Sequence, residues 1–293
     1  MKKKRKIKYK NLFIIIIIVI ISVLVIVSIT NNKTTKKEDK KEIKYNNKNN
    51  KLDQLENIDK KIDYFNKDYI DRYIAYKEKN PDLNIEQVIK NVNMHLDYNY
   101  YENTEPSKYI NTEKVLVNKH YYLESDYIPD NLENIDTNYS REGMRLVSYA
   151  KEAFEELSKQ AKKDNMNIIA MSSYRSYEYQ TNLYNRYVKE DGKEAADTYS
   201  GRPGHSEHQT GLAVDVYNIK ETYTNFENTK EYEWMQKHAH EYGFILRFPK
   251  GKENETGYQY ESWHYRYVGK DIAKYIHENN ITLEEYYATK IKD

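Results

Sequence analysis

The 293-residue chain contains no cysteine. That excludes disulfide staples and a lipid-modified cysteine anchor, so stability must come from a packed core. Phenylalanine is scarce too, with 6 residues against 32 tyrosines. Many tyrosines are therefore expected on half-wet surfaces, packing with the ring and meeting water with the hydroxyl. A basic folded face is also missing. Net charge is +1, but the first ten residues, MKKKRKIKYK, hold seven positive charges and no acid, which leaves about −6 for the rest. Nucleic-acid binders show a basic balance on the folded domain, so nucleic acid is excluded as a partner. No HExxH occurs, which excludes the commonest helical zinc-protease pattern, and no segment repeats.

What the chain does have begins with an uncharged run. Residues 12–29 read LFIIIIIVIISVLVIVSI, eighteen residues without a charge. As a helix they would span roughly 27 Å, close to the hydrocarbon thickness of a bilayer. The run is longer than the apolar part of a cleaved signal peptide, and Thr30, Asn31, Asn32 and Lys33 follow it instead of a small-x-small site. The expectation is an uncleaved signal-anchor: a cytoplasmic basic tail over 1–11, a transmembrane helix over 12–29, and everything after it outside the cell. Residues 30–60 are rich in Lys, Glu, Asn and Thr, and read as a disordered linker.

Residues 61–107 read as a short helical preface. Ile85, Val88, Ile89, Val92 and Leu96 follow helical spacing, and Asn84 with Gln87 can form a capping box. Pro81 separates this helix from an earlier one carrying Tyr69, Ile70, Tyr73 and Ile74. Beyond residue 108 the pattern alternates. VLVNK (115–119), MNIIAMSS (166–173), LAVDVY, FILRF and HYRYV read as strands. Ser140 can cap a helix with the stripe Val147, Ala150, Phe154, Leu157 and Ala161, and further helices are expected over 177–190, 193–199 and 231–242, the last stopped by Gly243. Two final helices surround HENN. Uneven alternation with tight connections predicts an α+β fold with a small central antiparallel sheet flanked by helices.

One stretch carries chemistry. PGHSEHQTGLAVDV (203–216) sets His208 and Asp215 seven residues apart in a tract of small and apolar residues. On a strand, Leu212, Val214 and Val216 share one face; Gly211, Ala213 and Asp215 share the other, so small neighbours clear space around the carboxylate. Asp215 could equally be a surface residue on an edge strand. His205 could replace His208. A zinc site needs a third nitrogen or oxygen ligand from elsewhere. His264 in ESWHYRYV (261–268) is the best candidate, and Glu261 could be the carboxylate that serves the water without binding metal. Three residues apart on a regular strand point to opposite faces, so a bend at Ser262 is required. Arg175 in SSYRSYEYQ (172–180) emerges at the end of a buried strand, either as a structural ion-pair partner or as an anion-binding group. His95, His120, His238, His240 and His277 read as core or surface residues.

Taken together, SSYRSYEYQ, SGRPGHSEHQTGLAVDV and ESWHYRYVG resemble the VanY-like D-alanyl-D-alanine carboxypeptidases, zinc peptidases of peptidoglycan. VNKHYYLESDYIPDNL and YGFILRFPKGKENETGY match more weakly, and the likeness covers roughly residues 110–290. Its central pattern is S-x-H-x-x-G-x-A-x-D followed by E-x-x-H. The resemblance implies a zinc peptidase domain over 108–293. It implies His208, Asp215 and His264 as Zn²⁺ ligands, Glu261 as general base, and Arg175 near the metal to stabilise the tetrahedral intermediate. It places Gln180 and Ser206 in the pocket for the terminal residue. Ser262 departs from the proline expected in many relatives. Two neutral imidazoles and one carboxylate would leave the zinc centre at net +1. The implied activity is a membrane-anchored, extracellular D,D-carboxypeptidase acting on peptidoglycan stem peptides. An L,D-carboxypeptidase acting on tetrapeptide stems and a non-catalytic wall-binding module are the alternatives.

Overall fold

The computed structural model describes residues 61–220 and 222–291. The expected basic tail, transmembrane run and linker lie outside the described residues. Among the described residues no helix is long and apolar enough to cross a membrane. The chain divides into two compact units, Met1–Phe65 and Asn66–Asp293. In the described part of the first, the Phe65 N–H donates to the Ile62 carbonyl at 3.1 Å. Among the described residues every helix and strand lies in the second.

Two helices open it, α1 (Ile70–Lys79) and α2 (Ile85–Asn93). The Asn84–Gln87 capping box forms as the sequence predicts, satisfying two otherwise unpaired N–H groups. Val88, Ile89 and Val92 are buried on one face of α2. After them come a parallel pair, β1 (Glu105–Pro106) with β2 (Tyr121–Tyr122), and an antiparallel pair, β3 (Leu132–Asn134) with β4 (Arg145–Val147). Helix α3 (Ser148–Lys163) follows, then β5 (Ile169–Ser172), α4 (Tyr177–Asp191), α5 (Lys193–Tyr199), β6 (Ala213–Tyr217), α6 (Lys230–His238), β7 (Phe244–Leu246), α7 (Glu253–Thr256), β8 (His264–Tyr267), α8 (Lys270–Asn279) and α9 (Leu283–Lys290). Gly243, at φ +86°, ends the turn after α6 in the left-handed conformation that favours glycine.

The central sheet has four strands in the order β5-β6-β8-β7, each pair antiparallel. This is the small antiparallel sheet the sequence predicts. Alternation sorts its faces. Val214, Val216 and Tyr265 join Phe154, Leu157 and Ala161 of α3 in the main apolar core. Asp215 and His264 face the other way, toward a cleft.

Two local expectations fail. VLVNK is buried but is not a strand. The carbonyls of Val115 and Leu116 go to side chains instead of a ladder: Arg266 donates to Val115 at 2.7 Å and Ser107 to Leu116 at 2.8 Å. Ser140 does not cap α3, because its hydroxyl donates to the carbonyls of Ile135 and Asp136 at 3.2 and 3.1 Å. The helix starts eight residues later, at Ser148, because Val147 pairs with Leu132 in the β3–β4 hairpin. Among the described residues most tyrosines are half-buried as expected, and only Tyr100, Tyr109, Tyr179 and Tyr223 stand among the exposed large apolar side chains.

Candidate active site

Three strands bring the site together in one row. Asp215 pairs with Ser172 on one side and His264 on the other. An irregularity between Ala170 and Ser172 makes the first pairing possible, since an extra residue in β5 re-aims the side chains beyond it. A short 3-10 turn, Glu207–Thr210, delivers His208 to the same point. One ligand atom from each of His208, Asp215 and His264 falls within 4.8 Å of the others, and all three residues are buried.

The imidazoles are oriented from behind. The His208 Nδ1 lies 2.7 Å from the Ser173 carbonyl, which leaves Nε2 facing Asp215 Oδ2 at 3.4 Å. The His264 Nδ1 lies 2.9 Å from Asp215 Oδ1, while Nε2 points away toward Glu207. Two ring nitrogens and a carboxylate thus converge, and the opposite nitrogen of each ring has an acceptor. That donor set fits a catalytic Zn²⁺, which takes three protein ligands and keeps an open position.

Electrostatics match the geometry. Burial disfavours the Asp215 charge, but His208 and Arg175 overcome it and hold the carboxyl well below its ordinary range. Burial, with Arg175, brings His208 down to about 4, so it is neutral and able to bind metal at neutral pH. Burial would lower His264 as well, but its hydrogen bonds to Asp215 and Glu207 raise it to about 9. Metal binding there must displace a proton.

Glu261 stands beside the trio. A turn at 262–263 supplies the bend the sequence required, with the His264 N–H reaching back to the Glu261 carbonyl at 3.5 Å. This turn puts Glu261 Oε2 3.8 Å from His264 Nδ1. Burial raises Glu261 to about 8, a carboxyl able to take and give a proton near neutrality. Arg175 reaches the same point, donating to Asp215 Oδ2 at 2.6 Å and to Ser172 Oγ at 2.8 Å.

The cleft above the trio encloses about 590 Å³, and Gln180 and Ser206 are among the residues that line it. Gln180 donates to the Gly201 carbonyl at 2.7 Å, and its buried Oε1 has no partner among the described residues. His205 is drawn elsewhere, its Nδ1 lying 2.8 Å from the Asn118 carbonyl, so His208 and not His205 joins the trio. His240 and His277 stack on each other at 3.8 Å, and His238 pairs with Glu241. His95 and His120 pack with each other at 5.6 Å.

Gly211 does not clear space for a metal. It sits at φ +68° after the turn, and a Cβ there would meet Leu132 at 2.9 Å and Val147 at 3.0 Å. Its role is the left-handed turn and close packing on the β3–β4 hairpin. Ala213 lies opposite Arg266 in the ladder and is fully buried, beside a guanidinium rather than beside the trio. Glu207 was hidden in the sequence. It lies one residue before His208 and drew no assignment, yet it is buried against Arg247 and Arg266. The usable signal was those two arginines, each set among apolar residues in FILRF and HYRYV.

The family profile described as VanY, D-alanyl-D-alanine carboxypeptidase, matches residues 143–270, which contain the trio, Glu261 and Arg175. A D-alanyl-D-alanine carboxypeptidase of Enterococcus faecium is 30% identical over 238 residues, covering 76% of this chain and 74% of that protein. The chain belongs to the VanY family. The putative carboxypeptidase YodJ of Bacillus subtilis is 42% identical over 179 residues, 59% of this chain; the match spans 66% of that relative's length, just short of two thirds. Among solved structures, the LdcB LD-carboxypeptidase superposes with a TM-score of 0.61 at 38% identity, covering 66% of this chain and 93% of its own. A variant of the vancomycin-resistance D,D-pentapeptidase VanY in complex with Zn(II) gives 0.52 at 32% identity, covering 59% and 98%. Zinc thus belongs to the VanY family in a structure similar to this one, and the donor set here suits it.

Proposed function

We propose that this chain is a zinc D,D-carboxypeptidase that removes the terminal D-alanine from peptidoglycan stem peptides. The observation that carries this reading is a raised glutamate, Glu261, beside three converging metal ligands in a cleft. His208, Asp215 and His264 would hold Zn²⁺. When bound, it supplies Lewis-acid polarisation and acidifies a water. Glu261 takes the proton of the attacking water and returns it to the leaving amine. Arg175, fixed by Ser172, presents its guanidinium to the oxyanion of the tetrahedral intermediate. Gln180 lines the cleft, and its buried Oε1, without a partner among the described residues, would accept an N–H from the terminal residue; Ser206 also lines the cleft.

The D,D reading rests on the family description and on the E. faecium relative. An L,D reading has support of its own, because identity to LdcB, 38%, exceeds the 30% to that D,D relative. A non-catalytic wall-binding module would not need Glu261, and Glu261 is in place.

The uncharged run 12–29 beside the basic first ten residues supports a single-pass anchor with the catalytic part outside the cell. That location would give the enzyme access to the wall and not to a cytoplasmic dipeptide pool. The test is to incubate the zinc-loaded protein separately with pentapeptide and tetrapeptide muropeptides, following D-alanine by mass spectrometry. Release from the pentapeptide alone supports the D,D reading, and release from the tetrapeptide alone replaces it with the L,D one. No release from either, with zinc bound, rejects both.

A further inference from the structure

Behind His264 lies a closed set of buried charges that the mechanism above does not use. Glu207 Oε1 accepts from Arg247 Nε at 2.8 Å and from Arg266 Nη1 at 3.0 Å. Its other oxygen, Oε2, faces His264 Nε2 at 3.5 Å. Arg247 turns its remaining nitrogens onto Glu284 of α9, with Nη1 donating to Oε2 at 2.8 Å. Asn118 also donates to Glu284, at 3.2 Å. Arg266 spends its other donors on the carbonyls of Val115, Glu113 and Tyr267. Relative exposure is 4% for Glu207, 3% for Glu284, 1% for Arg247 and 0% for Arg266. Two carboxylates and two guanidiniums sum to zero, so removing one leaves an uncompensated buried charge. Breaking such a set is far more costly than the set's net worth to stability.

We infer that Glu207 is a positioning residue for the metal centre, and that Glu284, through Arg247, holds Glu207 in place. This rests on the reading of His208, Asp215 and His264 as metal ligands. A neutral imidazole carries one proton, and the acceptor behind the ring decides which nitrogen holds it. Glu207 lies behind Nε2, while Asp215 and Glu261 lie in front of Nδ1 at 2.9 and 3.8 Å. A proton kept on Nε2 leaves the Nδ1 lone pair for the metal. Glu207 cannot swing away, because two arginines grip its other oxygen. The ring is held in plane by Phe248, stacked at 4.8 Å and 29°. Glu284 lies outside residues 143–270, the stretch that carries the family pattern. The last helix therefore contributes to the metal centre without touching it.

The test measures zinc affinity in the full chain by chelator competition, with the melting temperature of each metal-free variant as a check on folding. Glu207→Gln keeps the shape but weakens the grip of both arginines. It is expected to loosen zinc by about 10- to 100-fold, the usual cost of losing a partner behind a metal-bound histidine. Glu284→Gln, which contacts no ligand, is expected to loosen zinc by a smaller factor in the same direction. A merely structural role would lower the melting temperature and leave the zinc affinity of the folded protein within about twofold of wild type, overturning the inference. A second readout needs no variant. In ¹⁵N-histidine NMR of the zinc-loaded wild type, His264 is expected to carry its proton on Nε2, and a proton on Nδ1 with metal on Nε2 would overturn the inference. If wild type binds no zinc, or if His264→Ala binds it as tightly, the metal-centre reading itself fails, and the inference falls with it.

Discussion

Two buried glutamates face the same imidazole from opposite sides, and they are chemically unlike. Glu207, behind His264, is gripped by Arg247 and Arg266, which overcome its burial and hold its carboxyl well below the ordinary range. Glu261, in front, is also buried but forms no ion pair with an arginine among the described residues, and burial, outweighing His264 and Arg175, raises it to about 8. Residue type is the same, and so is the distance scale to His264: 3.5 Å for one and 3.8 Å for the other. The contrast shows that the neighbours, and not the side chain, decide whether a carboxylate is a fixed brace or a proton carrier.

The largest way to break the contrast is Glu261→Gln. Removing the proton carrier should lower kcat by about 10²- to 10⁴-fold, while zinc measured by atomic absorption stays at the wild-type level. Zinc lost in that variant would make Glu261 a ligand instead. Next comes Arg175→Gln, which removes the cation from the cleft side. Loss of one oxyanion donor costs about 10²- to 10³-fold in kcat, and steady-state kinetics on the preferred muropeptide checks it. An unchanged kcat with a raised KM would reassign Arg175 to substrate binding.

Stability against pH sharpens the contrast further, because the two glutamates have opposite signs. The folded Glu261 carboxyl titrates above its unfolded value. Between about 4.5 and 8 it holds a proton that the unfolded chain has released, so its contribution is full below that window and is lost as pH rises through it. Glu207 is lowered, so its contribution is present above the ordinary carboxylate range and is lost as pH falls below it. Melting curves of the metal-free protein from pH 5 to 8 should show Glu261→Gln gaining on wild type as pH rises. A constant gap would mean that Glu261 is not raised.

The smallest expected effect is at Ser262. It occupies the second position of the turn that runs from Glu261 to His264, where proline fits. Ser262→Pro should stabilise the fold by about 0.4–1 kcal/mol through the unfolded state, with activity unchanged. A loss of activity would show that Glu261 needs the freedom of that turn.

Much of this site was legible because its candidate ligands sit in short segments with fixed spacing. His208 and Asp215 lie on either side of a turn-to-strand junction, and Glu261 and His264 flank a bend that the chemistry itself demanded. The central sheet was legible from its apolar runs. What failed was set by partners distant in sequence. VLVNK has the composition of a strand, but its first two carbonyls go to Arg266 and Ser107. Gly211 looked like cleared space and is a left-handed turn pressed on Leu132 and Val147. The choice between His205 and His208 depended on the Asn118 carbonyl, 87 residues from His205. Glu207 needed two arginines, 40 and 59 residues away, to become visible.

Glu284 also has a meaning in time. A ribosome builds the chain from the amino end, so His208, Asp215 and His264 are all made before Glu284, which comes twenty residues after His264. A nascent chain that already holds the three candidate metal ligands still lacks the residue that closes on Arg247. If Glu284 braces Glu207 as inferred, a chain stopped before α9 would carry the three candidate ligands without their brace.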